Sequence, residues 1–238
     1  MKKYTLIAIF FLTIAISYGQ SASEYFSKAD AFFKTNVKNG RVAYKNIKNN
    51  PTDLDALLAM ASKITVAKSD AATYQSFWIN SYNLAVIKGV VNKYPLKTVP
   101  TTTGFFTKTK YALGGKNITL NDIENKLLRA NFPKEARFHF VLVCGGLGCP
   151  PIISAAYKPA TLDVQLQKQT EIALNNQKFI QVNKNKVKIS QIFEWYPQDF
   201  KQGGKSYVDF INHYRTEKLS EKAKVSFYAY DWTLNDLK

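Results

Sequence analysis

The segment SDAATYQSFWINSYNLAVIKGVVNKY, residues 69–94, is the longest helical pattern in this chain of 238 residues. Aromatic and aliphatic side chains recur along it at spacings of three and four residues, and Pro95 ends the pattern. Ile79 and Ile87 make the opposite side apolar as well. Because a helix that is apolar on nearly every side is buried, we expect the rest of the chain to pack around this one.

Two asparagines, Asn80 and Asn83, stand on neighbouring faces of that helix. Buried carboxamides need hydrogen-bond partners inside the protein. Such groups usually tie down loops, but one of these two could instead orient an imidazole ring or polarise a substrate carbonyl. Asn80 is therefore a candidate catalytic residue, and Asn83 and the nearby Trp78 are candidate substrate-binding residues.

The stretch RFHFVLVCGGLGCPP, residues 137–151, holds both cysteines of the chain and one of its two histidines. Its apolar run, residues 138–143, is typical of a buried strand, which would carry His139 into the core. The glycines that follow allow a tight turn, and the two prolines end any strand. Cys149 is thus predicted at a strand-to-helix turn, where a thiolate is stabilised. The loop around Gly146 would offer backbone N–H groups to an oxyanion.

The cysteines admit four interpretations. Cys149 is a reactive nucleophile, or Cys144 and Cys149 form a disulfide that the intervening glycines permit, or both thiols are buried and inert, or they bind a metal. Zinc is the least favoured, because His139 and the cysteines lack the close paired spacing of zinc sites and no fourth ligand is evident. We therefore predict no metal. Nothing resembles a dinucleotide loop or a P-loop, so we predict no cofactor.

Residues 1–19 have the pattern of a signal peptide. Lys2 and Lys3 precede an apolar run over residues 6–16, and Ser17-Tyr18-Gly19 offers small residues at the two positions that a signal peptidase inspects. The apolar run is short for a membrane span. We expect an exported protein, periplasmic or secreted, without stable membrane insertion after cleavage of the signal.

The chain is strongly basic, with 33 Lys and Arg against 17 Asp and Glu and a formal net charge of +16. Nearly all of the positive charge is lysine, and it is scattered along the chain. Nucleic-acid binding favours arginine and clustered charge, so we expect a solvated surface and no nucleic-acid partner. Attraction to anionic polymers of the cell envelope remains open, because long-range fields need only net charge.

The organisation of the mature chain follows from these patterns. We predict an N-terminal helical segment, residues 20–68, packed on a single α+β domain, residues 69–238. Helices and hairpins in irregular order indicate an α+β fold, with helices packed around a small, mostly antiparallel sheet. The expected elements of the domain are hairpins over 109–118 and 179–189, helices over 120–129, 161–175 and 207–214, and a terminal strand over 225–230.

Glu124 lies in the helix predicted over 120–129, beside leucines at turn spacing, so its carboxylate is expected to be only partly solvated. Such a carboxylate either pairs with Arg129 or Arg137 or orients a histidine. The second histidine, His213, is expected on a partly exposed helix face.

Three motifs in combination indicate a family. They are Phe77-Trp78-Ile79-Asn80-Ser81-Tyr82-Asn83, then Leu120-Asn121-Asp122-Ile123-Glu124 with Leu128-Arg129, then Arg137-Phe138-His139-Phe140 with Cys144-Gly145 and Cys149-Pro150. Over roughly residues 70–175 the chain resembles the domain of unknown function 547 family. Further on, Ile192-Phe193, Trp195-Tyr196 and Asp199-Phe200 also look familial. The histidine and cysteine pattern of that family is similar to that of papain-type thiol hydrolases, which implies a papain-like fold as one option. Family members commonly have a histidine where Asn125 stands here.

Two functions are consistent with these residues. The first is an exported thiol-dependent hydrolase or acyltransferase acting on a peptide or an envelope polymer, with Cys149 as nucleophile, His139 as general base, and Glu124 or Asn80 orienting the imidazole. The second is a non-catalytic module of the cell envelope, in which a Cys144–Cys149 disulfide staples the fold and exposed aromatic residues with lysines bind a glycan or a protein.

Overall fold

The structure, a computed structural model, describes residues 22–238. The predicted signal peptide, residues 1–19, lies outside the described residues. The first helix, α1, spans residues 22–36. The other helices are α2 (Tyr44–Asn49), α3 (Thr52–Lys63), α4 (Ala71–Lys93), α5 (Leu120–Asp122), which continues as a π-helix over Ile123–Arg129, α6 (Leu162–Asn175), α7 (Gln191–Trp195), α8 (Pro197–Phe200) and α9 (Tyr207–Tyr214). Short 3-10 helices cover Thr101–Thr103, Ala136–Phe140, Pro159–Thr161 and Gln202–Gly204.

The described strands form three small sheets. They are β1 (Val37–Lys38), β2 (Arg41–Val42), β3 (Lys110–Leu113), β4 (Lys116–Thr119), β5 (Ile180–Asn183), β6 (Lys186–Ser190) and β7 (Lys224–Tyr228). The pairs β1–β2 and β3–β4 are separate antiparallel hairpins, whereas β7 joins the β5–β6 hairpin by pairing parallel to β6. Both predicted hairpins are therefore present, and the α+β class is confirmed.

Helix α4 lies at the centre of the larger core. Asp70 caps its start by accepting a hydrogen bond from the backbone N–H of Thr73, and every residue from 76 to 87 is buried. Helix α1 covers part of it, since the rings of Tyr25 and Phe77 lie 5.4 Å apart and the Tyr25 hydroxyl is 2.9 Å from that of Ser81. None of the helices within residues 22–238 combines the length and apolar character needed to cross a membrane.

A second, smaller core forms between α6, α7, α9 and the three-stranded sheet. The segment before the cysteines joins the two cores, because Phe138 is buried in the larger one and Phe140 in the smaller one. Cys149 and Trp232 pack at the edge of both. The cysteine loop therefore lies where the two cores meet.

The strand predicted over residues 138–143 is wrong. The chain forms the 3-10 helix Ala136–Phe140 and then continues without strand pairing. The reason is Asn83, whose side-chain amide donates to the carbonyl of Val141 (3.0 Å) and whose side-chain oxygen accepts from the N–H of Val143 (2.9 Å). A buried carboxamide thus satisfies backbone groups that a neighbouring strand would otherwise pair.

Replacing Asn83 should be costly for this reason. We expect Asn83→Ala to lower the free energy of unfolding by about 3 kcal/mol, because a buried carbonyl and a buried N–H lose their partner. Urea denaturation measures the loss. Asn92→Ala, at an exposed position near the end of the same helix, is the control and should change stability by less than about 0.5 kcal/mol. Equal effects of the two substitutions would contradict the role of Asn83.

Candidate functional site

A cavity of about 300 Å³ opens beside the cysteine loop, where the two cores meet. It is lined by Tyr82, Phe106, Asn121, Glu124, His139, Leu142, Cys144, Cys149, Ile192, Trp195, Tyr196, Tyr230 and Trp232. Three of the predicted catalytic residues, Cys149, His139 and Glu124, therefore come together here. The other four predicted site residues do not line this cavity; they are Trp78, Asn80, Asn83 and Gly146.

Cys144 and Cys149 are joined as a disulfide, with Cα atoms 6.4 Å apart, and no free cysteine occurs among the described residues. That Cα separation lies in the usual range for a disulfide. Of the four interpretations of the cysteines, the structure shows the paired one.

The sulfur of Cys149 receives more hydrogen bonding than that of Cys144. The backbone N–H of Cys144 donates to Cys149 Sγ over 2.9 Å, and the Tyr230 hydroxyl donates to the same sulfur over 2.8 Å. Cys144 Sγ lies 2.9 Å from the same hydroxyl. Burial, with the nearby phenols and carboxylates, raises the pKa of Tyr230, so its hydroxyl keeps its proton and remains a donor at neutral pH.

His139 is held by a carboxylate that lies 60 residues away in sequence. Its Nε2 is 2.7 Å from Oδ2 of Asp199, and its ring lies against Tyr196 and Phe200, with centroids 4.3 and 5.0 Å away. The group that contacts the imidazole is therefore Asp199, and not Glu124 or Asn80 as the sequence predicted.

Asp199 is also bound by an arginine. The guanidinium of Arg129 donates to both carboxylate oxygens, from Nε over 2.6 Å and from Nη2 over 3.0 Å. Its third nitrogen, Nη1, donates to the side-chain oxygen of Asn125. Burial on its own raises the pKa of Asp199, but the hydrogen bonds from His139 and Arg129 outweigh it and lower the pKa to about 2. Asn125 thus helps to place the arginine.

Glu124 projects from the π-helix and forms no salt bridge with any residue in the range 22–238. The predicted ion pair with Arg129 or Arg137 is wrong, because both arginines pair with other carboxylates. Instead the carboxylate faces phenols. Burial is the main cause that raises the pKa of Tyr82 and of Tyr196, and the negative charge of Glu124 raises both further.

The predicted roles of Asn80 and Trp78 are not seen at the cavity. Asn80 holds both backbone groups of Tyr157, accepting from its N–H over 3.0 Å and donating to its carbonyl over 2.7 Å. It ties down a loop, which is the structural role that the sequence left open. Trp78 is buried in the larger core beside Gly114. Asn83 holds Val141 and Val143 as described above, and His213 is exposed on α9.

The loop around Gly146 is paired with the C-terminal segment. Gly146 forms an antiparallel bridge with Leu234, the N–H of Leu147 donates to the carbonyl of Thr233, and the N–H of Gly148 donates to that of Asp231, both over 2.8 Å. These last two N–H groups are therefore occupied. The expectation that the loop presents them to an oxyanion is not met.

Sequence reasoning missed several cavity residues. Asp199 was visible only as part of a familial dipeptide, and Tyr230 only as one aromatic residue of a terminal strand. Trp195 and Tyr196 were likewise visible only as a familial pair, and Trp232 gave no signal of its own. Across residues 22–238, no group of three or more His, Cys, Asp or Glu side chains is placed to hold a metal ion.

The fold and the cavity define an α+β protein in which a cysteine pair, a histidine bound to an aspartate and one further carboxylate meet among aromatic rings. Residues 66–172 match the model of the family described as "Protein of unknown function, DUF547", which confirms the resemblance indicated by the motifs. The matched stretch contains both cysteines and His139, but Tyr196 and Asp199 lie beyond it. No curated protein and no solved structure significantly matches the chain.

The lowered pKa of Asp199 predicts how stability responds to acid. Its folded-state pKa of about 2 lies below the ordinary value of 3.8, so the unfolded chain binds the proton more tightly. The stabilisation is present above pH 4 and is lost as the pH falls through 2. We expect Asp199 to contribute about 2 kcal/mol at pH 5, measured by urea denaturation as the difference from Asp199→Asn.

That difference should shrink to less than about 1 kcal/mol at pH 2. Asp53→Asn, at an exposed position of α3, is the control and should follow the wild type across the range. A constant difference between wild type and Asp199→Asn from pH 5 to pH 2 would show that the carboxylate is not stabilised by its partners.

Proposed function

We propose that this chain is an exported thiol-dependent hydrolase or acyltransferase, in which Cys149 of the reduced protein is the nucleophile and His139 the general base. The observation that carries the proposal is that Cys149 and His139 line one cavity while Asp199 binds the imidazole through Nε2. Export rests on the signal-peptide pattern of residues 1–19.

Cys149 is the better nucleophile of the two cysteines. Hydrogen bonds to a charged sulfur lower its pKa, and the thiolate is the reactive form. The sulfur of Cys149 faces both a backbone N–H and the Tyr230 hydroxyl. Cys144 shares only the hydroxyl, so reduction of the disulfide favours a thiolate on Cys149.

The contact with Asp199 allows His139 to act as a general base. With its pKa at about 2, Asp199 is ionised at neutral pH and accepts the proton on Nε2. Nδ1 is then the nitrogen that takes up a proton, and the nearby carboxylate stabilises the imidazolium that forms. In other sites that combine a nucleophile, a histidine and a carboxylate, the carboxylate likewise orients the imidazole and the histidine acts as the base.

The reaction proceeds in three steps. A dithiol first reduces the disulfide, becoming a disulfide itself. His139 then takes the proton of the Cys149 thiol, and the thiolate attacks the carbonyl carbon of an ester or amide. A C–S bond forms, the C–O or C–N bond breaks, and the leaving alcohol or amine takes the proton back from His139. Finally water, or an acceptor amine or hydroxyl, attacks the thioester, gives its proton to His139 and releases the thiolate.

Thiol labelling tests the nucleophile. After reduction with dithiothreitol and its removal, a pulse of iodoacetamide at pH 7 should modify Cys149 about tenfold faster than Cys144, because the thiolate is the reacting form. Peptide mass mapping gives the two rates. Cys149→Ala should abolish the fast phase and Cys144→Ala should keep it. Faster labelling of Cys144 would remove Cys149 from this role.

The hydroxyl of Tyr230 should set part of that reactivity. One hydrogen bond to a charged group contributes about 1.5 kcal/mol, so Tyr230→Phe should slow labelling of Cys149 roughly tenfold at pH 7. Tyr228→Phe is the matched control, because its hydroxyl donates to the carbonyl of Phe179 instead of a sulfur. Equal labelling in Tyr230→Phe and in the control would contradict stabilisation of the thiolate.

The second candidate is a non-catalytic binding module of the cell envelope, stapled by the disulfide. The paired cysteines favour it, as does the stacking of Trp195 on Trp232, with centroids 6.0 Å apart and Trp195 43% exposed. Intact mass of protein purified without reductant separates the candidates when combined with labelling. A mass two hydrogens short, and no preferential labelling of Cys149 after reduction, would favour the module.

A further inference from the structure

The cavity differs in charge from the rest of this protein. The chain contains 33 lysines and arginines, yet none belongs to the described residues that line the cavity. The lining contains a single carboxylate, that of Glu124, and half of the remaining lining residues are phenylalanine, tryptophan or tyrosine. The cavity thus presents a negative group and has no lysine or arginine among its lining residues.

The charge of Glu124 is not neutralised by an ion pair within residues 22–238. The arginine on the same helix, Arg129, is bound through two nitrogens to Asp199. The guanidinium of Arg129 also lies over the ring of Tyr196, 4.5 Å from its centroid, so it covers that face of the ring. Glu124 itself faces the phenols of Tyr82 and Tyr196, and burial together with its carboxylate raises their pKa. These hydroxyls stay neutral, so they solvate the carboxylate without cancelling its charge.

Aromatic rings form the wall next to the cysteines. The ring of Tyr230 lies 4.6 Å from that of Trp232 and 5.0 Å from that of Trp195, and Phe106 lies 6.4 Å from Trp232. The faces of such rings attract cations, most strongly for tryptophan and where water is excluded. Alkyl chains that carry an ammonium group also pack along apolar surfaces.

We propose that this cavity recognises a primary alkylammonium group, such as that of a lysine-type side chain, with Glu124 as its counter-ion and the aromatic rings around its alkyl chain. The volume of about 300 Å³ is at the lower end for small-molecule sites, which suits a single side chain. The inference rests on the proposed function for what happens to the bound molecule, whereas the binding itself requires no chemistry.

Isothermal titration calorimetry on the disulfide form tests the proposal. The probes are Nα-acetyl-lysine methylamide and Nα-acetyl-norleucine methylamide, which has the same alkyl chain but no ammonium group. We expect the lysine probe to bind at least tenfold more tightly at 50 mM salt, and to weaken as salt is raised because charges are screened. Equal affinity for the two probes would overturn the proposal.

Variants assign the effect to Glu124. Glu124→Gln should weaken the lysine probe about tenfold and leave the norleucine probe unchanged, and that unchanged binding shows that the cavity is still folded. Glu194→Gln removes the same charge from an exposed position of α7 and should leave both affinities unchanged. Trp195→Leu should weaken both probes several-fold. If Glu194→Gln weakened binding of the lysine probe as much as Glu124→Gln does, the overall charge of the protein would explain the effect. That result would overturn the proposal.

The ammonium site and the thiol chemistry of Cys149 can each be refuted without refuting the other. Binding is measured with the disulfide intact, whereas the nucleophile is tested by labelling the reduced protein. Selective binding of the lysine probe without fast labelling of Cys149 would support the ammonium site and refute the thiol chemistry. Fast labelling without selectivity between the probes would do the reverse.

Discussion

The rest of this structure depends on two buried carboxamides in one helix. Asn83 binds the backbone of Val141 and Val143, and Asn80 binds that of Tyr157. These segments lie on either side of the cysteine loop, so the helix fixes both ends of that loop. A buried backbone group without a hydrogen-bond partner costs about 1–3 kcal/mol. The hydrogen bonds of each asparagine therefore favour this path of the chain over conformations in which those backbone groups would be unpaired.

The C-terminal segment supplies the second constraint. It pairs with the cysteine loop through Gly145, Leu147 and Gly148. This pairing brings the Tyr230 hydroxyl to the sulfurs and Trp232 to the cavity wall. The approach is close, since a Cβ at Gly148 would lie 2.8 Å from the backbone nitrogen next to Tyr230. The glycines of the loop therefore allow its backbone to approach that of the C-terminal segment closely. They do not leave the N–H groups of Leu147 and Gly148 free to bind an oxyanion.

Hydrophobic periodicity and turn residues determined most of the elements. The all-round apolar pattern of residues 69–94 predicted the buried helix α4, and Gly114 with Gly115 predicted the turn between β3 and β4. Those two glycines have φ values of 62° and 70°, a region that glycine reaches without steric cost. These features are local, because the spacing of apolar residues and the shape of a turn are set by neighbours in sequence. Local motifs also brought Cys149, His139 and Glu124 forward as site residues.

What only the tertiary structure decided was the partner of each polar group. The apolar run at 138–143 resembles a strand, and nothing within it reveals that Asn83 takes the backbone groups of Val141 and Val143. Likewise the carboxylate that binds His139 comes from Asp199, 60 residues further along. A sequence by itself determines which groups are buried and need a hydrogen bond. Packing determines which distant group supplies it, because several candidates satisfy the same chemical need and only one is brought within reach.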